Sequence, residues 1–139
     1  MSRYVRIDNL TRGTVVSGRC RVARSLRDKM VGLLGSPEPL PGDGLLIERT
    51  QSIHMFFMRY TIDVAFIDRA ARVTRLVPGL RPWRVVWWAR GARDCIELGV
   101  GTLEASRTQH GDRLAIAELT SAPPAPGPTR SAKPPLSGR

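Results

Sequence analysis

Lysine is nearly missing from this chain: Lys29 and Lys133 are the only two among 22 basic residues, and the rest are arginine. Cysteine is as scarce. Cys20 and Cys95 stand far apart, with no CxxC pair and no zinc-ligand spacing to His54 or His110, which argues against a cysteine-framed metal centre. Their apolar or alternating surroundings predict buried free thiols, and a disulfide would require the two strands to be neighbours. No window approaches the roughly 20 apolar residues of a membrane-spanning helix. The opening MSRYVRIDNLTRG lacks the apolar core of a signal peptide. These absences lead to the expectation of a soluble, cytoplasmic protein. Also missing are a Ser-His-Asp order, a glycine-rich phosphate loop and an HExxH helix, so no familiar catalytic constellation is in view.

What is present fits one globular domain. The 139 residues can bury a real core without metal or disulfide staples. A hydrophobic fraction of 42% with 24% charged residues is ordinary for a folded chain. Thirteen glycines and eleven prolines imply many turns. The net charge of +10 favours loose association with nucleic acid, anionic membrane surfaces or acidic partners. Because the arginines are spread along the chain, the charge reads as a solvated surface more readily than as a polyanion groove.

Short strands separated by turn residues dominate residues 1–120. Residues 4–9 and 14–23 form an opening pair around the turn Thr11-Arg12-Gly13. Cys20 and Val22 alternate with Arg19 and Arg21, as on a half-buried strand. The period then changes: Leu26, Met30, Leu33 and Leu34 fall at helical spacing, with Ser25 and Asp28 as a capping box and Gly35 as a stop. A proline-rich exit leads to the strand GLLIE. Ile62, Val64 and Phe66 alternate up to the turn RAAR, and residues 73–77 return as a partner strand. A loop with Pro78, Gly79 and Pro82 precedes WRVVWWA, then CIEL, and RLAIAEL closes the body. The pattern predicts a mainly β domain, a small sandwich or barrel-like fold with one short amphipathic helix inserted after the first strands. From Ser121 onward the chain is rich in Pro, Ala and Ser. It is expected to be a disordered basic tail, 121–139, behind a 1–120 domain.

The order of GLLGS, GDGLLI, FFMRYTIDVAFID, CIELGVG and HGDRL resembles the DUF192 family, also called UPF0127. The likeness covers about residues 23–119. The family's pieces correspond to Gly32-Leu33-Leu34, Gly44-Leu45-Leu46, the turn Phe57-Met58-Arg59, the strand Ile62-Asp63-Val64-Ala65-Phe66, Ile96-Glu97-Leu98, Gly101 and Gly111-Asp112. Phe57 stands where a tryptophan is usual, the loop before Asp63 is short, and Ala70-Ala71 occupies a hairpin where a glycine is expected. The resemblance implies a compact β fold with a short helix, and it brings no mechanism, because the family has no assigned function.

The residues that could carry chemistry each have two readings. In extended HMFFM, His54, Phe56 and Met58 share one face. Imidazole with thioether could suit a soft metal such as Cu(I), or the run could simply fill core gaps. Asp63 and Glu97 interrupt apolar strands, where charge is costly without partners. They could form an acid–base group with His54, or accept structural hydrogen bonds from backbone or from Arg59. Asp112 reads as a turn residue. Trp83, Trp87 and Trp88 interleave with Arg81, Arg84 and Arg90, as core or rim packing, a partner surface, or a stacking platform for single-stranded nucleic acid. Two functions result. One is a non-enzymatic module holding a small molecule or protein segment through His54, Met58, Arg59, Asp63, Trp83 and Glu97, with no cofactor. The other is a small enzyme using His54, Asp63 and Glu97. Nucleic acid ranks third among partners.

Overall fold

The computed structural model describes residues 3–23, 42–49, 53–54, 60–82, 84–86 and 89–119. The amphipathic helix expected at 25–35, the residues Met58, Arg59, Trp83, Trp87 and Trp88, and the tail from 121 lie outside them. The described residues form nine strands and one short helix: β1 Tyr4–Asn9, β2 Thr14–Ala23, β3 Asp43–Ile47, β4 Ile53–His54, β5 Ile62–Ile67, β6 Val73–Leu80, β7 Val85–Val86, β8 Asp94–Gly99, α1 Thr102–Ala105 and β9 Leu114–Glu118. The mainly β expectation holds.

Seven strands join in one curled half-barrel sheet of order β6-β5-β8-β3-β2-β1-β9, and β4 with β7 makes a separate two-stranded ribbon. β2 and β3 run parallel, while the other pairs are antiparallel. Each face of the sheet carries its own apolar cluster. All seven strands supply the concave interior, with Val5, Ile7, Cys20, Leu46, Ile67, Val73, Leu98 and Leu114 among its members and Leu103 of α1 at its end. On the outer face, Leu45, Ile47, Ile62, Val64, Phe66 and Cys95 pack with Leu80, Val86, Ala89 and Ala92. Both faces of β5 are therefore covered, and all six of its residues are buried. At roughly 1.5–3 kcal/mol for each large apolar side chain removed from water, this strand is the mechanical centre of the fold.

Two glycines and a proline show how sequence adapts to this sheet. A methyl group on Gly44 would meet Leu98 at 3.1 Å and the Cys20 sulfur at 3.2 Å, so the Gly-Leu-Leu motif starts with the residue that lets β3 seat between β2 and β8. β6 runs on through Pro78 and Gly79, where the sequence suggested a loop. An edge strand tolerates a proline that cannot donate to a ladder. Gly79, at φ +66°, takes up the register shift between Ile62/Leu80 and Val64/Val77. Cys20 and Cys95 are free and buried. They belong to opposite faces, with β3 between their strands. Burial pushes the Cys20 thiol up to about 12.

Candidate functional site

Asp63 is a strand residue whose carboxylate is fully engaged by backbone. Oδ1 accepts the Gly79 N–H at 3.0 Å and Oδ2 accepts the Leu103 N–H at 3.0 Å. One side chain thus ties β5 to the β6 bulge and to the first turn of α1. Cross-strand register fixes its direction. Asp63 pairs with Leu98, and Glu97 pairs with Val64 and Leu45. Directly paired residues share a face and successive residues alternate, so Asp63 faces the interior and Glu97 faces outward into the other cluster. Both are buried. The sheet lies between them.

His54 lies on β4, opposite Val85 of β7, and Val86 beside it packs on the outer cluster. The β4–β7 ribbon is therefore on the side bearing Glu97, away from Asp63. The side chain of His54, like Met58, Arg59 and Trp83, lies outside the described residues. Among the described residues, no three His, Cys, Asp or Glu side chains are grouped to hold a metal. No described helix is long and apolar enough to cross a membrane.

Asp112 proves to be much more than a turn residue. It is buried, and its oxygens accept from Asn9 Nδ2 at 3.0 Å, the Gln109 N–H at 2.9 Å, and Arg12 Nε and Nη2 at 3.1 and 3.2 Å. Asn9 in turn accepts the Arg12 N–H and donates to Thr108, which shares a 2.7 Å hydroxyl contact with Ser106. This network rivets the β1–β2 turn to the 106–113 loop. Burial pushes the Asp112 carboxyl up. The bonds from Asn9, Arg12 and Gln109 and the Arg12 charge outweigh it, leaving the group below the usual carboxylate range. The signal in the sequence was the pairing of Asn9 before one turn with His110-Gly111-Asp112 in another, about 100 residues apart, which no local pattern connects.

The arrangement open to solvent lies elsewhere. A broad cleft of about 960 Å³ is lined by Arg49, Asp68, Arg69, Ala70, Gly91, Ala92 and Arg93. Three structural devices build it at the end of the sheet. Arg49 follows β3 at φ +56°, with its N–H held by Asp94 Oδ1 at 2.9 Å. Asp68 caps the β5–β6 hairpin by accepting the Ala70 and Arg72 N–H groups through Oδ1. The Arg93 N–H bonds to the Ile67 carbonyl at 2.8 Å. The backbone is thus pinned while Arg49, Arg69 and Arg93 remain exposed, and their guanidinium groups make no hydrogen bond or ion pair among the described residues. Evenly spread in sequence, these arginines are gathered by three loops, which is why the chain alone read as diffusely basic.

Comparison with known proteins agrees with the motif order. Residues 8–116 match the DUF192 family, described as Uncharacterized ACR. A UPF0127 protein of Thermococcus sibiricus is 35% identical over 127 residues, covering 85% of this chain and 80% of its own length. One from Pyrococcus horikoshii is 34% identical over 100 residues, covering 70% of this chain and 86% of its own. The fold is similar to two crystal structures. One is a Sinorhizobium meliloti protein provisionally described as a transcription regulator, at TM-score 0.71 and 19% identity, covering 84% of this chain and 94% of that one. The other is a Novosphingobium aromaticivorans protein of unknown function, at TM-score 0.65 and 17% identity, covering 81% and 83%. At such identities the likeness is one of fold. From the family match and the curated relatives, the chain belongs to the DUF192 (UPF0127) family.

Proposed function

We propose that this protein is a non-enzymatic binding module whose ligand is a small anion taken in the cleft of Arg49, Arg69 and Arg93. The observation that carries the reading is that three exposed guanidinium groups share one concavity with a single lining carboxylate, Asp68. That carboxylate already accepts two backbone N–H groups. Guanidinium forks match phosphate and carboxylate oxygens bidentately. The lining is polar, so it suits a hydrated charged group better than an apolar one. An acid–base enzyme has less support, because Asp63 spends both oxygens on backbone and Glu97 faces the other way. Binding of a protein segment through the β4–β7 side has no described side-chain geometry behind it.

Calorimetric titration of pyrophosphate at low salt tests the proposal. Saturable binding is expected, weakened at least about tenfold in Arg49→Gln/Arg93→Gln, since each lost charge-assisted contact is worth about 1.5–3 kcal/mol. Equal affinity in the variant and the parent protein would refute it.

A further inference from the structure

Among the described residues, the curled sheet closes at one corner. Just ahead of β6 and β9, Arg72 and Arg113 form an isolated antiparallel bridge. The Val73 N–H donates to the Asp112 carbonyl at 2.8 Å on one side, and the Leu114 N–H to the Ala71 carbonyl at 2.9 Å on the other. Bonds that flank a pair in this way make it the non-hydrogen-bonded kind, whose Cα atoms approach to about 4.5 Å with side chains on one face. Val73 and Leu114 are interior, so Arg72 and Arg113 project outward, and both are exposed.

Like charges directly opposite one another oppose pairing, yet two arginines stand where the described sheet edges meet. Arg72 Nη1 reaches only the Gly111 carbonyl, at 3.5 Å, and the Arg113 guanidinium has no partner among the described residues. Neither neighbouring carboxylate pairs with Arg72 or Arg113 among the described residues. Asp68 Oδ1 accepts backbone N–H groups of its own hairpin, and Asp112 turns inward to Asn9, Arg12 and Gln109. The backbone beneath is held on both sides, and a third bond from the Gly111 N–H to the Val73 carbonyl, at 2.8 Å, stiffens it.

We propose that Arg72 and Arg113 form a clasp for one phosphoryl group, free or as a phosphomonoester, which fastens the β6 edge to the β9 edge. A tetrahedral dianion presents enough oxygens for two guanidinium forks and converts their repulsion into two charge-assisted contacts. The clasp lies on the β9 side of the hairpin whose tip lines the Arg49 cleft, and it stands or falls separately from that cleft.

Thermal unfolding of Arg49→Gln/Arg93→Gln protein, the parent for this test because its cleft is disabled, in millimolar phosphate against chloride at matched ionic strength reads the clasp alone. A saturable rise of about 3 °C or more is expected. Arg113→Glu should melt higher than the parent in chloride, because it pairs with Arg72, and should lose the phosphate response. Arg72→Gln in the same background should lose the response too. Glycerol 2-phosphate as effective as inorganic phosphate would assign the clasp to phosphomonoesters, and a response to inorganic phosphate alone would assign it to the free ion. The proposal is overturned if the parent shows no saturable rise, if Arg113→Glu responds as the parent does, or if only a single-stranded DNA oligonucleotide stabilises the protein.

Discussion

The Asp112 network and the Arg49 cleft both contain arginine and aspartate, but they are organised in opposite ways. Around Asp112, donors converge on a buried carboxylate from two loops, and Arg12 is drawn into the protein to meet it. Around the cleft, the acids Asp68 and Asp94 are occupied by backbone N–H groups, and the arginines are left to the solvent. The difference teaches how to read a basic protein of this kind: charges whose partners are complete build the fold, and charges gathered without partners mark where a ligand can enter.

That contrast can be broken most severely at Asp112. Asp112→Ala leaves Asn9, Arg12 and the Gln109 N–H facing an empty acceptor site. It should cost about 3 kcal/mol in urea unfolding, toward the low side for a buried pair because Arg12 is partly exposed. Pyrophosphate binding in the cleft should be unchanged in protein that remains folded. The pH dependence has a definite sign. A carboxyl held below its unfolded value stabilises fully above about pH 3.9, and that contribution disappears as pH falls through the lower folded value. Asp112→Asn should therefore flatten the acid limb of the stability profile, and an unchanged limb would contradict this assignment.

Asp63→Asn comes next. An amide has one acceptor oxygen for two backbone donors, so either the Gly79 or the Leu103 N–H loses its bond, at about 1–3 kcal/mol. Faster hydrogen exchange at Gly79 or Leu103, with β1 and β9 unaffected, would locate the damage. The smallest expected change is a gain. Ala71 sits at φ +57°, in the left-handed region that costs a non-glycine residue roughly 1 kcal/mol. Ala71→Gly should raise stability by somewhat less than that, because glycine also adds freedom to the unfolded chain. It should leave the Arg72–Arg113 bridge intact.

Much of the fold was legible because strand signals are local. The bounds of β1 and β2 follow directly from alternation and from the turn around Gly13, and β5 and β9 from apolar runs bounded by turn residues. The sequence predicts a strand that stops at Val77, because Pro78 and Gly79 normally end one, and the position of β6 at the sheet edge permits it to continue to Leu80. The four-residue α1 carries too short a pattern to announce itself, and its start is organised by Asp63, 40 residues earlier in the chain. Of the candidate site residues, Asp63 and Glu97 stand out in the sequence as acids inside apolar strands, and the structure buries both. Their separation by the sheet was implicit in cross-strand register, which needs to know that β5 pairs with β8.

The amino-acid order by itself determined the mainly β character, the strand sequence and the family, because alternation, turn chemistry and ordered motifs act over a few residues at a time. Only the tertiary structure decided which charges meet. Joining Asn9 and Arg12 to Asp112, collecting Arg49, Arg69 and Arg93 around one cleft, and setting Arg72 against Arg113 all depend on how a seven-stranded sheet curls. That curl is a property of long-range pairing and of cores on both faces, which no short stretch of sequence contains.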